Sequence, residues 1–221
     1  MWPRPWPSSN PLPGTVAIIG AGPLGRWLAL SAARAGFRVL LEDVMPANLH
    51  HAQEFLRRQL GPQICPKRDV AGSGEPEAGR STAVAAGTSA QDDNVVEVDF
   101  VSTIEDAVRD ADLAIDCVPD ELESKLEIFW LLDRMAPPRT VLATPTTRLS
   151  IADLANCTYR PAQCIAIAQE ASSLAAGAGR EILLRTTTRT APETVALVRD
   201  FWQRLGFIPT FELDPAEPPA R

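Results

Sequence analysis

The sequence predicts an α/β domain: one mostly parallel sheet, doubly wound, with helices on both faces. Three observations predict it. Short apolar runs alternate with longer stretches of helix formers, the pattern of right-handed strand–helix–strand crossovers. Most of the strand-like runs are continuously apolar, as strands covered on both faces are. A glycine-rich turn, Gly20–Gly25, joins the first apolar run to the first helical stretch. The 221 residues are 45% apolar and 22% charged, and a chain of this size buries roughly 70% of its unfolded surface. A single domain over residues 15–213 accounts for that length.

The elements follow in order. Thr15–Ile19 is a β-branched apolar strand ending on Gly20. Leu24 to Ala35 is helical and stops at Gly36, a residue suited to the position just past a helix end. Arg38–Leu41 is the second strand, ending in Glu42 and Asp43. Ala47 to Leu60 is a helix with Leu49, Phe55, Leu56 and Leu60 on one side. Residues 61–94 hold five Gly and three Pro without a sustained apolar period, so they read as a mobile insertion.

Order resumes at Val95–Val101, a strand, and at a short helix from Thr103 to Asp110 with Thr103 as its cap. Leu113–Val118 is an apolar strand around one acid, Asp116, and Pro119 breaks it. Asp120 and Glu123 form a D-x-x-E cap for a helix reaching Met135, which Pro137-Pro138 ends. Thr140–Ala143 is a strand, and Ser150 with Asp153 caps another short helix. Cys164–Ala168 and Ile182–Thr187 are strands. Thr190 to Glu193 caps a helix to Leu205, Gly206 ends it, and Phe207–Leu213 is the last strand. Residues 1–14, rich in Pro, read as a flexible leader, and 214–221 as a flexible tail.

Charge narrows the function. The net charge of −7 argues against non-specific nucleic-acid binding, which needs basic surface to neutralise phosphates. No apolar run reaches 18 residues, so no membrane span is expected. The segment Met1 to Pro13 has five prolines and two tryptophans in place of a secretory apolar core. The four cysteines form no C-x-x-C pair and the two histidines, His50 and His51, are adjacent, so a cytoplasmic protein with reduced thiols and no metal centre is expected.

The chemistry begins at Gly20-Ala21-Gly22-Pro23-Leu24-Gly25. This G-x-G-x-x-G follows a strand, opens a helix and meets Asp43 at the end of the next strand, 18 residues after Gly25. Gly20 permits the tight turn, Gly22 the approach of a pyrophosphate, and Gly25 close packing of helix on strand. Free N–H groups at the helix start face the anion. Asp43 accepts from the adenosine ribose hydroxyls, and its charge repels a 2′-phosphate, so the cofactor is NAD rather than NADP. The domain is a Rossmann-type fold.

Beyond that motif, several segments resemble one family. They are Val16–Gly25, Ala35–Val44, Ala111–Leu122, Lys125, Phe129, Leu132-Asp133, Ala136–Pro138, Val141–Thr144, Leu149–Ala155, Ala191–Val195 and Leu205–Pro209. Over residues 14–60 and 95–213 the chain resembles the NAD-binding domain of 3-hydroxyacyl-CoA dehydrogenases. That resemblance implies NAD-dependent oxidation of the 3-hydroxyl of an acyl-CoA in fatty acid metabolism. It implies a histidine base oriented by a carboxylate, a hydroxyl residue and an asparagine on the substrate oxygen, and a helical second domain.

Carried over by position, the cofactor side falls on Val118, Pro119, Asp120 and Lys125. The family's N-T-S-S stretch falls on Pro145-Thr146-Thr147-Arg148, which puts the substrate hydroxyl contact on Thr147. The histidine has become Ala168, the asparagine Ala171, and the carboxylate partner falls near Glu181. Loss of a positioned base costs about 10²–10⁴-fold, and loss of an oxyanion donor roughly 10²–10³-fold. Glu170, two residues beyond Ala168, is the substitute base the sequence offers. Three readings stay open: a stand-alone oxidoreductase with impaired chemistry, a non-catalytic NAD-binding module, and one half of a split dehydrogenase completed by a partner chain. A homo-oligomer is compatible with each.

Overall fold

The computed structural model describes residues 14–61, 97–175 and 180–216. Its strands are β1 (Thr15–Ile19), β2 (Arg38–Glu42), β3 (Val98–Val101), β4 (Leu113–Asp116), β5 (Val141–Pro145), β6 (Cys164–Ile167), β7 (Glu181–Thr186) and β8 (Ile208–Leu213). Between them run α1 (Pro23–Arg34), α2 (Pro46–Leu60), α3 (Ile104–Val108), α4 (Leu122–Met135), α5 (Ile151–Asn156), α6 (Ala171–Ala175) and α7 (Pro192–Arg204). The leader and nearly all of the 61–94 insertion lie outside the described residues.

The sheet order is β3-β2-β1-β4-β5-β6-β7-β8, parallel throughout except for β6 against β7. Its first six strands follow the doubly wound dinucleotide order, in which connections diverge between β1 and β4 and open a crevice at the strands' carboxyl ends. Strand alternation makes two cores. Val16 and Ile18 face α1, α2 and α7, where Phe37, Phe201 and Trp202 are buried. Ala17 and Ile19 face the opposite layer, with Phe129 and Leu132 of α4 and Leu154 of α5. Burying each large side chain contributes about 1.5–3 kcal/mol. Phe207 packs edge-on against both Trp27 and Trp202, tying α1 to α7.

Some local expectations are corrected. Asp120 and Glu123 do not form a cap: Glu121 occupies the position before α4, and no side chain bonds there. Thr190 does not cap α7, because its hydroxyl accepts from the Thr187 N–H and Ala191 takes the cap position. Thr103 and Ser150 do cap, accepting from the N–H of Asp106 and Asp153. Asp214 belongs to the packed domain rather than to the tail. It is buried and accepts from the Ser150 hydroxyl at 2.8 Å and the Ala152 N–H at 3.0 Å. Among the described residues no helix is long and apolar enough to cross a membrane.

Candidate dinucleotide site

At the carboxyl ends of β1, β2, β4, β5 and β6 lies a cleft of about 830 Å³. One end is built on the glycine-rich turn. Gly20 sits at φ +104°, a left-handed conformation that side chains disfavour, and donates its N–H to Glu42 O at 2.8 Å. Gly25 is required by contact: a Cβ there would stand 1.8 Å from Gly20 O. Gly22 is different. Its φ of −66° suits any residue, and a Cβ there would meet nothing of the chain within 4 Å. The small residue leaves space on the cleft side. No side chain caps α1, so its first N–H donors are left for an anion.

Asp43 lines the same end and is nearly buried. Its Oδ2 accepts from Ala21 N–H and its Oδ1 from Met45 N–H, both at 2.8 Å. The Asn48 amide donates to both oxygens at 3.1 Å. The carboxylate is thus a brace for the glycine turn as well as a cleft wall. Beside it, the Glu42 carboxyl is pushed up to about 7 by burial and by the Asp43 charge.

The cleft floor rests on a buried ion pair. Lys125 Nζ donates to Asp116 Oδ2 at 3.0 Å and to Val118 O at 3.3 Å, with both charged side chains essentially sealed from solvent. Asp116 also accepts from the Thr144 hydroxyl and the Val118 N–H, each at 2.9 Å. Burial pushes its carboxyl up, against the opposing pull of the Lys125 ammonium. Cys117 lines the cleft, and burial holds its thiol well above the usual range.

The far end is made by Pro145 at the end of β5, by Thr146, Thr147 and Arg148 from the β5–α5 turn, and by Gln169, Glu170 and Ser172 after β6. The Thr146 hydroxyl accepts from the N–H of Arg148 at 3.3 Å and of Leu149 at 3.0 Å. Arg148 Nη2 donates to Asp120 O at 2.7 Å. Asp120 Oδ1 is buried without a hydrogen-bond partner among the described residues.

Eight of the sequence-derived cofactor residues line the cleft: Gly20, Gly22, Pro23, Leu24, Asp43, Val118, Pro119 and Asp120. Ala21, Gly25 and Lys125 stand behind its wall, with Lys125 holding Val118 from beneath. Thr147 and Glu170 both line the other end. Ala168 follows β6 and donates its N–H to Leu183 O at 2.8 Å. His50 is exposed on α2 beside Glu54, and His51 is exposed next to it, so neither histidine reaches the far end. The lining residues not named as site candidates from the sequence are Asn48, Cys117, Pro145, Thr146, Arg148, Gln169 and Ser172. Arg148 had a signal, since it departs from the family's serine, whereas Asn48 meets Asp43 only once α2 has folded back.

The family model described as 3-hydroxyacyl-CoA dehydrogenase, NAD binding domain, matches residues 15–211. The chain belongs to the 3-hydroxyacyl-CoA dehydrogenase family. The matched part is the NAD-binding domain, and NAD is its cofactor. It is 31% identical over 150 residues to a probable 3-hydroxybutyryl-CoA dehydrogenase of Bacillus subtilis, covering 68% of this chain and 46% of that protein. A 5-formyl-3-hydroxy-2-methylpyridine 4-carboxylate 5-dehydrogenase of Mesorhizobium japonicum is 28% identical over 194 residues, covering 88% and 55%. The structure of (S)-3-hydroxybutyryl-CoA dehydrogenase from Ralstonia eutropha has the same fold, with a TM-score of 0.69, 20% identity, and coverage of 90% of this chain and 63% of that one. The chain spans about half the length of these two curated relatives.

Proposed function

We propose that this dehydrogenase-family domain holds NAD(H) along the cleft and performs slow hydride transfer at a hydroxyl or keto carbon near Thr147. The observation that carries this reading is the far end of the cleft. It keeps a hydroxyl, Thr147, and a carboxylate, Glu170, but its family histidine position is Ala168. The cofactor residues fit their group. Gly22 and the uncapped start of α1 suit a pyrophosphate, Asp43 suits ribose hydroxyls, and the unpartnered Asp120 Oδ1 suits a further donor. When bound, NAD accepts or returns the hydride. Thr147 orients the substrate oxygen, and Glu170 takes the hydroxyl proton in place of an imidazole.

The Mesorhizobium relative is named for a small pyridine carboxylate and the Bacillus relative for an acyl-CoA. Both substrate classes are therefore open for this chain. A second reading is that this domain is one half of a split dehydrogenase, with turnover completed by a partner chain.

The test is NADH fluorescence titration followed by steady-state turnover. Wild type should bind NADH at micromolar to submillimolar levels. Its turnover should fall at least tenfold in Glu170→Gln, with NADH affinity unchanged. Turnover unaffected by Glu170→Gln removes the carboxylate base. Binding without turnover, and unimproved by Ala168→His, leaves a non-catalytic NAD module, and turnover only with an added helical unit supports the second reading.

A further inference from the structure

The charge at the two ends of the cleft differs. Among the described residues lining it, the acids are Asp43, Asp120 and Glu170, and the cation is Arg148. Asp120 and Glu170 flank the end where Thr147 lies. Arg185 donates to Thr147 O at 3.4 Å but is paired with Glu212 and stands behind the lining, so Arg148 is the cation that faces an anionic substrate there.

Arg148 is held in place yet not used up. Its main chain is fixed by the Thr146 hydroxyl. Its Nη2 rests on Asp120 O at 2.7 Å, and its Nε lies 3.8 Å from Asp120 Oδ2. Among the described residues, Nη2 is the guanidinium nitrogen with a hydrogen-bond partner. A guanidinium has five N–H donors in a planar fork matched to a carboxylate. The side chain is 72% exposed, so the remaining donors are open to a ligand. The glycine turn, where the pyrophosphate fits, is on β1. Arg148 follows β5, with β4 between them in the sheet, and it is adjacent to Thr147 in the chain.

Resting on the proposed function, we infer that Arg148 makes this end of the cleft a carboxylate subsite, so that the substrate is a free short-chain hydroxy or keto acid rather than a coenzyme A thioester. Thr147 meets the reacting oxygen, Arg148 forks onto the carboxylate a bond or two away, and Asp120 steadies the guanidinium from the opposite side. The reaction is an ordinary balanced exchange. The alcohol C–H gives its hydride to NAD⁺, its O–H gives a proton to the base, and the product is the keto acid plus NADH.

The experiment uses the full chain and three ligands that share a carbonyl and differ in charge at the tail: acetoacetate, methyl acetoacetate and acetoacetyl-CoA. Kd for each is measured by calorimetry with NADH saturating, in wild type, Arg148→Gln and Arg148→Lys. Wild type should bind acetoacetate at least tenfold more tightly than the methyl ester. Arg148→Gln should weaken acetoacetate 10–100-fold, leave the ester and NADH within twofold, and Arg148→Lys should lie between. Equal binding of acid and ester, preference for the thioester, or binding of none of the three in an NADH-competent protein overturns the subsite alone. A tenfold loss of NADH affinity in Arg148→Gln, with acid and ester unaffected, also overturns it and makes Arg148 a cofactor ligand. Wild type that fails to bind NADH removes the proposed function and this inference together.

Discussion

The two ends of the cleft are built on different principles. At the Asp43 end, the shape is set by backbone: Gly20 by its φ, Gly25 by contact with Gly20 O, and Ala21 by its bond to Asp43. At the Thr147 end, the lining is side chains from the end of β5 and the turn after it, and from the segment after β6. The first end matches the dinucleotide motif at every position, while the second departs from the resembled family at Pro145, Arg148 and Ala168. On the proposed function, cofactor binding is thus tied to the fold, and substrate choice is separable from it.

Three tests probe that contrast. The largest effect is expected from Lys125→Met, beneath both ends. It strands the Asp116 carboxylate in a dry interior, and breaking such a pair costs about 3–5 kcal/mol. Urea unfolding should show that loss, and adding Asp116→Asn should recover most of it. If the single change is nearly neutral, the floor is not what supports the two ends.

Next comes Gly25→Ala, at the backbone-built end. Its methyl group would lie 1.8 Å from Gly20 O, so turn and helix must separate. NADH affinity should fall at least about a hundredfold, equivalent to roughly 2.7 kcal/mol. Ser172→Ala, at the other end, should change it less than twofold. Comparable losses at both ends would break the distinction.

The smallest effect concerns pH. Glu42 has its folded pKa raised from 4.5 to about 7 by burial and by Asp43. Folding therefore favours its protonated form. That contribution is complete below about pH 4.5 and is lost as pH rises through about 7. Thermal melts should show Glu42→Gln flattening the decline across this window. An unchanged slope would mean that Glu42 is hydrated in solution.

Much of the fold could be read because the central strands β1, β2, β4, β5 and β6 are short runs buried on both faces, and such runs announce themselves one by one. The sense of β7 could not, since nothing within its own short run marks which way it meets β6. The D-x-x-E at Asp120 misled for a related reason: the same local spacing serves a cap or leaves a carboxylate beside the cleft, and only the position of α4 decides. Within the site, residues whose role is backbone geometry were evident. Asn48 and the burial of Lys125 were not, because both depend on partners brought close by folding. The cap at Ser150 was readable, but its continuation into Asp214 spans 64 residues and leaves no local trace.

The bond from Ala21 to the Asp43 carboxylate has an evolutionary corollary. With Asp43 on the ribose as proposed, sugar selectivity and phosphate grip share one lever, and a drift toward a 2′-phosphorylated cofactor by losing the acid alone would also remove the acceptor of the Ala21 amide. Such a change would slacken the loop that it was meant to retune, and a replacement acceptor for the Ala21 amide would have to arrive beforehand.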